Sequence, residues 1–415
     1  MAESPELELV VTALAAGGDG VARDAGGRVT FVPRTAPGDR VRARVVHATS
    51  SFARAELVEV LEPAASREQP PCVHFVRGCG GCQWQHVRRG EQLAAKQAIV
   101  AGALRKLPGL TVHKIAEPAP PLHWRRRARF HVDGGRTGLY VLGTKRVLPL
   151  ERARRVDLPE GPAILCPQLE PALDAALCTV AGATPPDGEL GLVLAHDGKI
   201  AVGVERAWRG APRLVGKSGI VGIIAGKETH GEVVLELEPG LWGGPWEFAQ
   251  ASALGNAALV AKVRELVGAG PGTLVELYAG AGNFTRGLLA AGWTVIATDL
   301  VAPARPLSGG GGTRFEVGPV ADVVAKLAAP VDVVVLDPPR AGAAEAIDGI
   351  VRLAPRTIVY VSCDPATLAR DAGRLVAAGY EATDAWPYDL MPQTSHVEVV
   401  MVLRASARAA ARTSS

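Results

Sequence analysis

From Leu7 to about Pro63, apolar and polar positions alternate over short stretches: Leu9-Val10-Val11, Val29-Thr30-Phe31-Val32, Val41-Arg42-Ala43-Arg44-Val45-Val46 and Ala55-Glu56-Leu57-Val58-Glu59-Val60, separated by Gly, Asp and Pro. Runs of this length and period are strands joined by tight turns. About five of them in so little chain predict a small closed barrel of the oligonucleotide-binding kind. Arg34, Arg40, Arg42, Arg44 and Arg54 give that barrel a basic face, suited to phosphate contacts and equally to plain solvation.

A helical stretch is predicted around Glu91 to Leu107, and a mixed region runs from about Val112 to Trp246. Its strand candidates include Ala128-Arg129-Phe130-His131-Val132, Leu190-Gly191-Leu192-Val193-Leu194 and Val233-Val234-Leu235-Glu236-Leu237. It opens with four arginines, Arg125, Arg126, Arg127 and Arg129, between Trp124 and Phe130. Rings and guanidinium planes can stack on unpaired bases, so the segment reads either as an RNA contact or as a solvated strand end. From Gly272 the rhythm changes to strand, helix, strand. Thr273–Leu277, Thr294–Thr298, Val331–Leu336 and Thr357–Ser362 are apolar runs without alternation, as strands buried on both faces should be. They predict a doubly wound parallel sheet, closed by a further strand over Val397–Leu403.

Composition narrows the possibilities. A chain of 415 residues has room for roughly two or three domains. A net charge of +3 means that nucleic-acid binding would rest on local patches and not on a global field. No apolar run approaches the roughly 20 residues that span a bilayer, and the first residues are acidic, so a cytoplasmic protein with no membrane partner is expected. Six cysteines are too few for a disulfide scaffold. Three of them, Cys72, Cys79 and Cys82, are clustered, whereas Cys166, Cys178 and Cys363 lie far downstream.

The first strand of the parallel sheet runs into Tyr278-Ala279-Gly280-Ala281-Gly282-Asn283-Phe284, where glycines allow a tight turn and close approach to a ligand. The third glycine of the dinucleotide fingerprint would fall at Thr285, which weakens a nicotinamide reading. Asp299 ends the second strand and can accept hydrogen bonds from ribose hydroxyls. S-adenosylmethionine is therefore the better candidate. Asp337 ends the fourth strand ahead of Pro338 and Pro339, and Cys363 follows the fifth, where a helix N-terminus would favour a thiolate. Glu398 interrupts the apolar run of the last strand, which makes it a candidate general base; His396 reads as structural or as a minor substrate contact.

Taken jointly, Cys79-Gly80-Gly81-Cys82 followed by Gln83-Trp84-Gln85-His86, Phe248-Ala249-Gln250, Leu277-Tyr278-Ala279-Gly280, Asp337-Pro338-Pro339-Arg340, Ser362-Cys363-Asp364-Pro365 and His396-Val397-Glu398 resemble the RNA uracil-5-methyltransferases. The likeness is to the branch with an N-terminal TRAM domain and an iron–sulfur cluster that acts on 23S ribosomal RNA. It implies a class I, Rossmann-like α/β methyltransferase domain, an OB-like TRAM barrel and a central mixed α+β domain holding the cluster. The implied boundaries are 1–63, 64–246 and 247–404, with a disordered tail at 405–415. The resemblance makes Cys363 the nucleophile toward uracil C6 and Glu398 the base, with Asp337 beside the pyrimidine. Gln250, Tyr278, Gly280, Asn283, Asp299 and Asp337 would bind S-adenosylmethionine. Cys72, Cys79, Cys82 and Cys166 would hold a [4Fe-4S] cluster, whereas spacing alone leaves zinc equally open.

The substrate expected is a flipped uridine of 23S rRNA, with tRNA as the alternative and a monomer as the acting unit. The β-module and the cluster favour ribosomal RNA, because the simplest tRNA members lack both. One stretch departs from the family. Val301 to Ser308, followed by Gly309 to Gly312, is too rich in Pro and Gly for the usual helix, and the adenine contact falls near Pro319. A non-catalytic RNA-binding protein with a degraded cofactor pocket is the competing class.

Overall fold

The computed structural model describes residues 5–157, 160–307 and 312–406. Of the tail expected to be disordered, only Ala405 and Ser406 fall among them, and the remainder lies outside the described residues. Five strands, β1 (Glu6–Leu14), β2 (Gly20–Arg23), β3 (Val29–Val32), β4 (Arg40–Ala48) and β5 (Phe52–Glu62), close into a barrel in the order β1-β2-β3-β5-β4. Alternate residues point inward, so Leu9, Val11, Ala22, Val32, Val41, Ala43 and Ala55 fill it.

The outward positions correct the expected basic face. Register sets Arg40 opposite Glu62, Arg42 opposite Glu59 and Arg44 opposite Glu6, and each pair forms an ion pair across the strands. Arg54 pairs with Asp19. Arg34 leaves the surface, with its guanidinium 3.6 Å from the centre of the Phe75 ring. The barrel's exterior is thus charge-balanced.

Next come one helical turn, α1 (Val73–Val76), and the longer α2 (Arg89–Leu104). The buried stripe of α2 is Gln92, Lys96, Val100 and Leu104, one residue per turn and half of them polar. After β6 (Thr111–Val112), the central layer is formed by β7 (Arg127–Asp133), β8 (Arg136–Tyr140), β9 (Val147–Pro149), α3 (Pro171–Gly182), β10 (Gly188–Leu194), β11 (Ile200–Val204), β12 (Ile220–Ala225) and β13 (Glu228–Gly231). Its seven strands run in the order β13-β12-β11-β10-β7-β8-β9, with α3 against them over Phe130, Leu173, Leu177, Leu190 and Ile200. A hairpin of β14 (Leu235–Glu238) and β15 (Leu241–Gly243) follows.

The stretch read as a possible stacking surface is mostly interior. Trp124, Arg126 and Phe130 are buried, because the strand turns alternate residues into the core. Arg129 remains at the surface, paired with Glu189.

The C-terminal layer comprises α4 (Ala253–Val267), β16 (Thr273–Leu277), α5 (Thr285–Ala290), β17 (Thr294–Asp299), β18 (Thr313–Val317), α6 (Val320–Lys326), β19 (Val333–Leu336), α7 (Ile347–Leu353), β20 (Thr357–Ser362), α8 (Pro365–Ala377), β21 (Tyr380–Tyr388) and β22 (Glu398–Ala405). The sheet order is β18-β17-β16-β19-β20-β22-β21-β6; β18 to β20 are parallel, and β22 runs antiparallel between β20 and β21. β6 joins this sheet at its edge, parallel to β21, so a short piece of chain from before the central layer completes it. The order reverses between β16 and β19, so the ligand cleft opens at the carboxyl ends of those strands. Among the described residues no helix is long and apolar enough to cross a membrane.

Candidate active site

β16 delivers the chain into the glycine loop. Tyr278, at φ 61°, takes a left-handed conformation that costs a non-glycine residue about 1–3 kcal/mol, and its hydroxyl donates to Glu345 Oε1 at 2.6 Å. The Gly280 N–H donates to Asp299 Oδ2 at 2.8 Å, and Asp299 Oδ1 accepts from the Leu300 N–H at 2.7 Å. Each carboxylate oxygen keeps a lone pair for a ligand hydroxyl. Asn283 forms a reciprocal amide pair with Asn256 of α4, with Nδ2 to Oδ1 distances of 2.8 and 2.7 Å. Asn256 also donates to Glu238 Oε1 at 2.8 Å, and Glu238 is ion-paired with both Arg126 and Arg286. The loop therefore stands on a polar network that reaches into the central layer. Beneath it, Thr285 Oγ1 donates to Glu276 Oε2 at 2.5 Å, and burial pushes the Glu276 carboxyl up to about 8. Gln250 is half-buried in the segment entering α4, where its carbonyl accepts from Arg126 Nε at 3.3 Å.

The departing stretch after Asp299 is irregular, as its prolines require, and residues 308–311 lie outside the described residues. Arg305 stacks on Trp242, 4.0 Å from the ring centre. Leu307 packs on the glycine loop so closely that a Cβ on Gly282 would come 2.3 Å from its Cδ2. An apolar residue thus walls the loop on this side. Pro319 is exposed at the N-terminus of α6.

Cys363, Asp337 and Glu398 do come together. The antiparallel ladder between β20 and β22 ends at Ser362 paired with Val399, so Cys363 and Glu398 each lie one residue beyond that last pair, and the Glu398 charge acts on the thiol. Asp337 leaves the adjacent strand β19, and its charge acts on both. Burial, Glu398 and Asp337 push the Cys363 thiol up to about 11, against a smaller opposing effect of Arg340. This overturns the expectation of a thiolate stabilised by the helix: the first amides of α8 are taken by Asp364, whose Oδ1 accepts from the Ala366 and Thr367 N–H groups at 2.9 Å. Burial and the Asp337 charge raise Glu398 far above the usual carboxylate range, and burial raises Asp337 as well. Arg340 donates to the His396 ring, 3.0 Å from Nδ1, and burial with nearby cations pushes that imidazole down to about 4, so it accepts as a neutral ring.

Cys72, Cys79, Cys82 and Cys166 line one cavity of about 80 Å³ together with Phe75 and Arg125. Burial pushes the Cys82 thiol up to about 12 and raises the other three. The Cys166 N–H is held by Asp174 Oδ1 at 2.9 Å. Among the described residues no group of three or more His, Cys, Asp or Glu side chains is arranged to hold a metal ion. Cys178 is partly buried against the central core.

Sequence reading missed Glu238, Asn256, Gln92 and Lys96. The signal for the last two was present: polar residues on the same stripe of a helix as Val100 and Leu104.

A doubly wound sheet with a glycine loop, a carboxylate ending the next strand and a cysteine facing the same cleft defines a methyltransferase fold that uses S-adenosylmethionine. Residues 5–58 match the TRAM domain family, and residues 324–406 match the tRNA (Uracil-5-)-methyltransferase family. The chain is 31% identical to a 23S rRNA (uracil(1939)-C(5))-methyltransferase RlmD of Marinomonas sp. (strain MWYL1), over 91% of this chain and 90% of that one. It is also 31% identical to an RNA methyltransferase of Gloeobacter violaceus named as uncharacterized, over 95% and 96%. The chain belongs to the RNA uracil-5-methyltransferase family. Among solved structures it is similar to the Pyrococcus abyssi tRNA (uracil-54, C5)-methyltransferase in complex with S-adenosyl-L-homocysteine, with a TM-score of 0.74 and 22% identity over 96% of this chain and 99% of that one. The fold is thus shared over nearly the whole chain.

Proposed function

We propose that this chain methylates C5 of a uridine in RNA, most specifically in 23S rRNA, with Cys363 as nucleophile and Glu398 as base. Support comes from Cys363 and Glu398 standing at the same end of the neighbouring strands β20 and β22, close enough for the Glu398 charge to act on the thiol, with Asp337 at the end of β19 between β20 and the glycine loop. Cys363 Sγ adds to C6 of the flipped base as its proton passes to a neighbouring carboxylate or to water, and the resulting enolate makes C5 nucleophilic. S-adenosylmethionine supplies the methyl group to C5. Glu398 then takes the C5 proton, the electron pair restores the C5–C6 double bond, and the C6–S bond breaks to free the cysteine.

In this reading Gln250, Tyr278, Gly280, Asn283, Asp299 and Asp337 contact the cofactor, with Asn283 held in place by its amide pair with Asn256. Leu307 replaces the usual helix as an apolar wall, so the pocket is remodelled and functional. The segment 1–63 serves RNA, 64–246 carries the cysteine site and 247–404 the chemistry. The protein acts as a cytoplasmic monomer.

Cys72, Cys79, Cys82 and Cys166 are proposed to bind a [4Fe-4S] cluster. The support is the donor set, the shared cavity and Arg34, whose buried Nη1 has no partner while its charge faces Cys79, Cys82 and Cys72. Four thiols match in number the four ligands, one per iron, that such a cluster takes. The cluster would neutralise thiolates that burial otherwise disfavours.

The test is nucleoside mass spectrometry of 23S rRNA and tRNA from cells with and without the gene, complemented by wild type or Cys363→Ala. Loss of 5-methyluridine from 23S rRNA, restored by wild type alone, is expected. Loss from tRNA alone transfers the assignment to tRNA, and no change in either pool overturns the enzymatic reading.

A further inference from the structure

The loop from Asp389 to His396 joins β21 to β22 and delivers Glu398 to the cleft. Gln393 in its middle has φ 67°, a conformation a non-glycine residue keeps only where its surroundings over-determine it. Those surroundings come from the stretch after the cysteines. The Gln393 carbonyl accepts from the Gln83 N–H at 3.1 Å and the Trp84 N–H at 3.0 Å. Its N–H donates to Gln92 Oε1 at 3.1 Å, and its side-chain Oε1 accepts from Gln92 Nε2 at 2.9 Å. Two residues on, the Ser395 N–H donates to Gln83 Oε1 at 3.4 Å. At the start of the loop, Lys96 Nζ donates to Asp389 Oδ1 at 2.5 Å and to the Met391 carbonyl at 3.2 Å.

The other ends of these residues are anchored as well. Gln83 Nε2 donates to the Gly80 carbonyl in the turn between Cys79 and Cys82, at 3.1 Å. Trp84 Nε1 donates to the Gly18 carbonyl of the barrel at 2.9 Å. Barrel, cysteine turn and catalytic loop therefore meet through one pair of glutamines and a tryptophan. Gln92, Lys96, Asp389, Gln393 and Trp84 are all buried, so these hydrogen bonds do not compete with water.

We propose that Gln83 and Gln92 are positioning residues that set Glu398 for removal of the C5 proton. The proposal rests on the reading of Glu398 as the base. Only His396 and Val397 separate Ser395 from Glu398, so a loop released at Gln393 and Ser395 moves the carboxyl. A misplacement of about 1 Å can cost roughly 100-fold in rate. Methyl transfer precedes proton removal, so the specific consequence is an enzyme that forms the methylated Cys363–C6 adduct and releases it slowly.

The experiment uses the full-length protein, an unmodified 23S rRNA transcript and S-adenosylmethionine carrying a tritiated methyl group. Gln92→Leu and Gln83→Leu are expected to lower kcat at least about tenfold, to leave KM for S-adenosylmethionine unchanged and to accumulate a labelled protein–RNA adduct that survives denaturing gels. Glu398→Gln is the reference. If it traps no adduct while Cys363→Ala abolishes methylation, the assignment of the base fails. If Glu398→Gln traps the adduct but the glutamine variants turn over at the wild-type rate, or slow without adduct, the positioning proposal is overturned. Gln83 is only half-buried, so its variant carries the test should Gln92→Leu fail to fold.

Discussion

Replacing Glu238 by Gln removes the charge on which the glycine loop and the central layer both lean. One carboxylate oxygen pairs with Arg126 and accepts from Asn256 Nδ2, and the other pairs with Arg286. The side chains of Glu238, Arg126 and Arg286 are 13%, 4% and 18% exposed, so water screens these charges little. Removing one partner of a buried ion pair costs about 3–5 kcal/mol. Arg286 retains some solvent and a glutamine keeps one acceptor oxygen, which places the expected loss at about 3 kcal/mol in urea unfolding followed by circular dichroism. The same change loosens Asn256, which pairs with the Asn283 amide, and Arg286, whose Nε donates to the Asn283 carbonyl at 3.2 Å, so S-adenosylhomocysteine should bind about tenfold more weakly by calorimetry, roughly 1.4 kcal/mol. Glu62→Gln, which breaks an exposed pair on the barrel, serves as control and should leave the unfolding midpoint where it was. A Glu238→Gln protein that loses less than about 1 kcal/mol and binds S-adenosylhomocysteine as tightly as wild type would refute the reasoning.

Three further outcomes are expected. With the Cys363 thiol near 11, its alkylation by iodoacetamide, read by peptide mass spectrometry, should rise about tenfold per pH unit through neutrality, and Glu398→Gln or Asp337→Asn should move that rise to lower pH; a plateau already reached at about pH 8 would contradict the thiol's environment. The Glu276 carboxyl sits near 8 in the fold against 4.5 ordinarily, so the folded state holds the extra proton and wild-type stability falls as pH rises between those values. Glu276→Gln should therefore be the more stable protein at pH 8, with the difference shrinking toward pH 4.5, and equal stabilities across that range would count against it. Cys166→Ser, purified without oxygen, should carry less iron and sulfide per chain than wild type; an unchanged content would remove Cys166 from the proposed ligand set.

The strand-and-helix rhythm of the methyltransferase layer was legible because strands buried on both faces read as unbroken apolar runs. The common location of its candidate site residues was legible for a related reason. Asp299, Asp337 and Cys363 each follow such a run, and the carboxyl ends of parallel strands share one edge of the sheet. β21 escaped notice because Glu381, Asp384 and Pro387 interrupt its pattern, yet β22 and β6 pair with it on either side. Tertiary structure alone decided what each charge faces. Arg40, Arg42 and Arg44 of the barrel are neutralised by glutamates on neighbouring strands, and the Trp124–Phe130 segment turns mostly inward. The thiol at a helix N-terminus meets two carboxyls, and Gln92 reaches a loop 301 residues away. Periodicity records which face of an element is buried, and so specifies the elements and their order. Electrostatics and hydrogen bonding depend on distances between elements far apart in the chain, which only the packed fold brings into being.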